Sequence, residues 1–446
     1  MLGLALGWYC FRCLVSGQWV QLYGLREPGW LQYPPILLGF NVKEIILVTI
    51  SGEDRPGITG AISAILADYQ VNILDIGQAV IHDNLSLGFL LEMPEDDSSA
   101  QVIKELLFYT HEQGFRLRFT PVSESSYSQW VAGQGKPRHI ITLLARKITA
   151  AHIAKVTEIV AEYGLNIDRI DRLSGRVPLD DLQSQTRACV EFSVRGGLDD
   201  AQAFRRRFMT LAGDLGIDIA YQEDDMFRRT RRLVAFDMDS TLIEAEVIDE
   251  LAAAAGVGEQ VAAITEQAMA GELDFKASFK ARMALLEGLD ESVLSEIAER
   301  LPITEGAERL ISTLKKLGYK TAILSGGFNY FARDLQQRLG IDHVYANELD
   351  IVDGKVTGKV TGTVVDGERK AQLLKELAQR EGISLEQVIA VGDGANDLPM
   401  LGIAGLGIAF RAKPLVRENA SQAISNLGLD GILYLLGIGD RYTHQL

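Results

Sequence analysis

Two carboxylates, Asp237 and Asp239, stand directly behind a short apolar run, Leu233-Val234-Ala235-Phe236. Acids so placed can attack an electrophile, move a proton or hold a cation. The run predicts a buried strand that ends in the two acids. Alternate residues of an extended chain point to opposite sides, so both can address one ligand only if the backbone curls just past the strand. The small residues Ser240 and Thr241 permit that curl. The carboxyl end of a parallel sheet is where α/β folds bind ligands. Taken alone, the pair could still be two aspartates of a surface turn.

Three later segments favour chemistry. Lys320-Thr321-Ala322-Ile323-Leu324 predicts a second strand, running into Ser325-Gly326-Gly327, where a hydroxyl and approachable backbone amides suit a phosphate. Lys370 opens a helical pattern through Leu377 and brings a fixed positive charge, although a lone lysine there would ordinarily be solvated. Val388-Ile389-Ala390-Val391 predicts a third strand, followed by Gly392-Asp393-Gly394-Ala395-Asn396-Asp397. Hard oxygen donors on such a turn suit Mg²⁺, which takes one or two carboxylates and keeps water or phosphate oxygens.

In this order, each behind a strand, the four segments resemble the haloacid dehalogenase superfamily of phosphohydrolases, and within it the phosphoserine phosphatases, over residues 232–436. The resemblance implies a Mg²⁺-dependent enzyme that hydrolyses O-phospho-L-serine, the last step of serine biosynthesis, through an aspartyl phosphate. It implies Asp237 as nucleophile and Asp239 as general acid and base. The implied metal ligands are the Asp237 carboxylate, the Asp239 carbonyl and Asp393, with Asp397 behind them. Ser325, Gly326, Lys370 and Asn396 would face the substrate. The chemistry agrees: a carboxylate approaching a phosphate dianion is repelled, so neutralising charge is the main electrostatic requirement.

Residues 247–300 combine Ala, Leu, Glu and Lys at helical spacing and predict a helical cap over the catalytic face. Such a cap excludes water and reads the leaving group. The resemblance implies Glu246 for the substrate ammonium, Arg282 for its carboxylate and Phe275 closing over it. A guanidinium fork suits a carboxylate. Glu244, two positions from Glu246, should point elsewhere and is given no ligand role. From the residues alone, these three could equally be a helix-start acid, a solvated helical charge and a cap-core ring.

The first half reads differently. Ile65-Leu66-Ala67-Asp68-Tyr69-Gln70-Val71-Asn72-Ile73 recurs as Ile159-Val160-Ala161-Glu162-Tyr163-Gly164-Leu165-Asn166-Ile167, each copy behind a strand-like run. This predicts a βαββαβ unit twice, at 43–125 and 138–225, so the fold class is an α/β Rossmannoid catalytic domain with two ferredoxin-like α+β modules ahead of it. Both modules resemble the ACT domain. The first carries Asp54-Arg55-Pro56-Gly57-Ile58, a turn whose amides could take a serine carboxylate at a helix start. The second has Arg146-Lys147-Ile148-Thr149 there, without Pro-Gly. The modules either sense an amino acid or hold a homodimer together.

Of 446 residues, 60 are Asp or Glu and 44 Lys or Arg, a net charge of −16 that disfavours nucleic acid. The ferredoxin-like strands also lack an aromatic stacking pair for RNA. The runs Arg205-Arg206-Arg207 and Arg228-Arg229-Thr230-Arg231-Arg232 read as a solvated helix face and a linker, the second offset by Glu223, Asp224 and Asp225. Residues 1–42 read as a loosely attached extension. Arg12 interrupts any membrane-length run and no basic stretch precedes the apolar residues, so neither a membrane span nor a signal peptide is expected. Cys10 and Cys13 are too few for a structural metal site. Three cysteines fit a reducing cytoplasm. Two other readings stay open: another small phosphomonoesterase of the same superfamily, and an amino-acid-responsive regulatory protein with a vestigial site.

Overall fold

A computed structural model describes the backbone of residues 10–15, 18–23, 44–94, 98–178, 180, 187–269 and 272–443. Two compact units divide it, Met1–Gln134 and Gly135–Leu446.

The first unit opens with an antiparallel hairpin, β1 (Cys10–Val15) and β2 (Gln18–Tyr23). Side chains there, Cys10 and Cys13 included, lie outside the described residues, as does the rest of the 1–42 extension. Next come β3 (Ile45–Glu53), α1 (Ile58–Asp68), β4 (Asn72–Ile81), β5 (Asn84–Glu92), α2 (Ser99–Glu112) and β6 (Arg116–Val122). Their sheet order is β4-β5-β3-β6. In β5 every second residue from Leu85 to Leu91 is buried, so one sheet face meets the helices. Helix α3 (Glu124–Gly133) follows, capped by Ser123.

The second unit repeats the pattern with β7 (Arg138–Ala145), α4 (Ala150–Glu162), β8 (Asn166–Arg172), β9 (Ala188–Arg195), α5 (Ala201–Leu215) and β10 (Asp218–Glu223), ordered β10-β7-β9-β8. Here the alternation is lost: β7 is buried from His139 through Ala145. One face meets its own helices. The other shares a core with the large sheet that follows, through Leu144, Cys189 and Ala220. Polar groups seal this seam, with Asp218 accepting from the Ser425 and Asn426 amides, both at 2.8 Å.

The seam corrects one expectation. The second arginine run is not a solvated linker: Arg228 and Arg231 are 3% and 6% exposed, and Arg228 pairs with Glu191. The linker is caught between the module and the large sheet, so part of its charge is buried. Arg206 and Arg207 on α5 are exposed as expected, whereas Arg205 beside them is half-buried.

The large sheet begins at β11 (Leu233–Phe236). Helices α6 (Val247–Ala254), α7 (Gly258–Met269), α8 (Phe275–Ala284) and α9 (Ser292–Arg300) come next. Then follow α10 (Ala307–Lys316), β12 (Lys320–Phe328), α11 (Asn329–Leu339), β13 (His343–Val352), β14 (Lys355–Thr361), α12 (Gly367–Arg380), β15 (Val388–Gly392), α13 (Leu398–Ile403), β16 (Leu406–Phe410), α14 (Pro414–Asn419) and β17 (Gln422–Ile424). The order is β14-β13-β12-β11-β15-β16-β17, parallel except for the β13–β14 hairpin. Along β11, Val234 and Phe236 enter one core while Leu233 and Ala235 enter the other, as expected of a strand covered on both faces. Phe236 is in register with Ile323 of β12 and Val391 of β15. All three motifs therefore lie at the carboxyl end of the sheet, where the chain order switches sides of β11.

Candidate active site

Asp237 leaves β11 with its N–H donating to the Val391 carbonyl at 2.8 Å, which fixes the acid beside the Gly392–Asp393 turn. The curl comes next: Ser240 sits at φ 54°, in the left-handed region. That turn sends Asp239 back toward the start of α6, where its Oδ1 accepts from the Val247 amide at 3.0 Å. A methyl group at Gly327 would collide with the Asp239 carboxylate and the Met238 side chain, so the glycine lets β12 approach this acid closely.

Lys370 is not solvated. It lies in the first turn of α12, 0% exposed, with Nζ 2.7 Å from both Asp237 Oδ1 and Asp397 Oδ1. Burial alone would drive its pKa down, but the two carboxylates more than offset this and hold it above the usual lysine range. The other Asp397 oxygen accepts from the Gly394 amide at 3.0 Å. Both its oxygens thus serve protein donors. Asp237 Oδ1 also takes the Met238 amide at 2.8 Å, leaving Oδ2 with no donor among the described residues.

Oxygens of Asp237, Asp393 and Asp397 lie within 4.8 Å of one another. Burial, reinforced by Asp237 and Asp397, pushes Asp393 up to about 8. Such uncompensated negative charge, carried on hard oxygens, fits a divalent cation. With Asp397 taken up by Lys370 and Gly394, the open donors are on Asp237 and Asp393. Asp239 is also raised well above the usual carboxylate range, by burial first and then by Glu246 and Asp237. The neutral acid is favoured there.

The Ser325-Gly326-Gly327 segment is a bulge inside β12, where pairing with β13 shifts between Leu324 and Phe328. Ser325 Oγ accepts from the Gly327 amide at 2.8 Å, and Asn347 Nδ2 donates to the Gly326 carbonyl at 2.8 Å. That peptide is clamped at both ends. Asn347, 2% exposed, was missed by the sequence reading; an amide ending the apolar run Val344-Tyr345-Ala346 was the available signal. Asn396 is half-buried in the Gly392–Asp397 turn, its side-chain oxygen against Gly394.

Glu246 and Glu244 diverge as expected. Glu246 accepts from Ser240 Oγ at 2.7 Å, while Glu244 pairs with Arg411 at 2.7 Å. Arg282 on α8 is half-buried, and its charge faces Asp249, Glu246 and Asp239. Phe275 begins α8, but its side chain lies outside the described residues.

Known proteins share this architecture. Residues 234–402 match the haloacid dehalogenase-like hydrolase model, and residues 44–120 and 137–222 each match an ACT domain. The chain is 43% identical to the phosphoserine phosphatase of Streptomyces coelicolor, covering 88% of this chain and 92% of that protein. It is 41% identical to phosphoserine phosphatase SerB2 of Mycobacterium tuberculosis, covering 89% and 94%. This chain belongs to the phosphoserine phosphatase family of haloacid dehalogenase-like hydrolases. A solved probable phosphoserine phosphatase from Vibrio cholerae superposes with a TM-score of 0.54 at 34% identity, over 70% of this chain and 90% of that one. Haloacid dehalogenase phosphatases generally use a divalent metal, and the aspartate cluster meets that requirement. Among the described residues, no helix is long and apolar enough to cross a membrane.

Proposed function

We propose that the chain hydrolyses O-phospho-L-serine to L-serine and phosphate, with Asp237 as nucleophile. The observation that carries this reading is the Lys370–Asp237 pair. Among the described residues it leaves Asp237 Oδ2 without a donor at the end of β11, in the turn that also carries Asp239, which lies close to the Ser325 bulge. Asp237 Oδ2 attacks phosphorus as the seryl oxygen departs, and Asp239 gives that oxygen its proton. Asp239 then removes a proton from the water that cleaves the aspartyl phosphate, which frees phosphate and restores both acids. Lys370, the Ser325 hydroxyl and the Gly326 amide face the phosphoryl oxygens, with Asn396 beside them. Asp237, the Asp239 carbonyl and Asp393 would hold Mg²⁺, which supplies charge neutralisation at the phosphoryl group; Asp397 keeps Lys370 in place. Glu246 takes the ammonium and Arg282 the carboxylate, with Phe275 closing over the substrate.

In this reading the chain divides into an extension to residue 42, modules at 43–125 and 138–225, and a catalytic domain at 232–436. The first module is the candidate serine sensor. Gly57 takes φ 94° at the start of α1, where the second module has Thr149, and Arg146 just after β7 is spent on a 2.6 Å pair with Glu305. Edge strand β4 exposes Ile76 and Ile81, which supports pairing into a homodimer. The chain works in the cytoplasm without nucleic acid or membrane. Phosphate release from a panel of phosphomonoesters with Mg²⁺ tests the activity. Phosphoserine should lead the panel; a better substrate without an amino-acid head would overturn the reading.

A further inference from the structure

Helix α8 buries two polar groups that find no hydrogen-bond partner among the described residues, Ser278 Oγ and Arg282 Nε. Ser278 is only 2% exposed. A buried hydroxyl without a partner is costly, and a helical serine normally avoids that by bonding the carbonyl four residues back. Here it does not. Residues four apart share a helix face, so the two groups sit one above the other.

The ends of α8 show what that face meets. At its start, Lys276 pairs at 2.9 Å with Asp366, the residue that caps α12 four positions before Lys370. One turn after Ser278, Arg282 presents its charge to Asp249, Glu246 and Asp239. Phe279, next to Ser278, packs its ring 6.1 Å from that of Phe328, which directly follows the Ser325-Gly326-Gly327 bulge. Ser278 is therefore suspended between the Lys370 end of the site and the Glu246 end.

We infer that Ser278 Oγ and Arg282 Nε donate together to one carboxylate, that of the bound amino-acid phosphate, so that Ser278 sets specificity for a substrate bearing that group. A guanidinium can only donate, and a hydroxyl beside it completes a pair of donors for one anion. An ammonium needs acceptors, and Glu246 supplies one. This inference rests on the phosphoserine reading above.

The test compares wild type and Ser278→Ala on O-phospho-L-serine and O-phosphoethanolamine, which keeps the phosphate and ammonium but lacks the carboxylate. Melting of both ligand-free proteins is recorded alongside. Loss of one hydrogen bond to a charged group predicts a fall in kcat/KM of about 10- to 100-fold on phosphoserine. Phosphoethanolamine turnover should stay unchanged, and the melting temperature should hold or rise because the deleted hydroxyl has no partner among the described residues. Equal losses on both substrates, no loss on phosphoserine, or a lower melting temperature would each overturn the assignment. A wild type that does not prefer phosphoserine would instead defeat the substrate reading on which it rests.

Discussion

Lys370 Nζ lies 2.7 Å from Asp237 Oδ1, the lysine fully enclosed and the carboxylate buried but for a small exposed fraction. Removing one member of such a pair leaves an uncompensated buried charge. Lys370→Met should therefore lower stability by about 3–5 kcal/mol, as expected for a broken buried pair, and should abolish turnover. Denaturant unfolding checks the first effect and phosphate release the second. A variant as stable as wild type would mean that the carboxylates are balanced by something other than this lysine.

Asp393 makes the metal-free protein pH-sensitive. A carboxyl raised to about 8 in the folded state weakens the fold once pH passes its unfolded value near 3.9, and the loss grows until pH passes about 8. Mg²⁺ should relieve that repulsion. Its stabilisation of the chelated protein is thus expected to be larger at about pH 8.5 than at about pH 5. Melting curves with and without Mg²⁺ read this directly, and Asp393→Asn should lessen both the pH slope and the metal response, leaving the share of the slope that the raised Asp239 contributes.

Asp239→Asn keeps the Val247 contact through its side-chain oxygen and loses only the proton-transfer role. A drop in kcat of roughly 10²–10⁴-fold is expected. Phosphate esters with good leaving groups, which need no proton, should lose less in the first step. A uniform loss across leaving groups would remove Asp239 as the acid.

Regulation is best probed at the boundary between the compact units. Deleting residues 1–134 leaves the unit Gly135–Leu446 whole, whereas a cut at 225 would strip the second module from its shared core and strand Asp430 and Asp440 without Arg187 and Gly175. The shorter deletion should keep competitive inhibition by serine and lose any noncompetitive component. Identical serine inhibition in both proteins would make the first module a dimerisation element.

Much of this site could be read from sequence because its strands are buried on both faces. A strand such as Leu233–Phe236 must then be continuously apolar, and polar residues begin only where it ends. The βαββαβ repeats were legible because the segment Ile65–Ile73 recurs as Ile159–Ile167, each time behind a strand-like run. What escaped depended on tertiary context. Nothing in the pattern around Lys370 separates a lysine enclosed by Asp237 and Asp397 from one in water. The burial of Arg228 depends on the second module, whose Glu191 it meets where that module packs on the large sheet. The β13–β14 hairpin, by contrast, carried a usable signal in Asp353-Gly354, both at positive φ, the residue pair that a tight hairpin turn favours.

In the proposed reaction, phosphate from phosphoserine passes through Asp237. Brief mixing with O-phospho-L-serine and Mg²⁺, acid quenching and peptide mass spectrometry measures this directly. Phosphate on the peptide containing Asp237, absent in a folded Asp237→Asn variant that no longer turns over, is the predicted result. Full turnover by Asp237→Asn, or phosphate trapped on another residue, would contradict it.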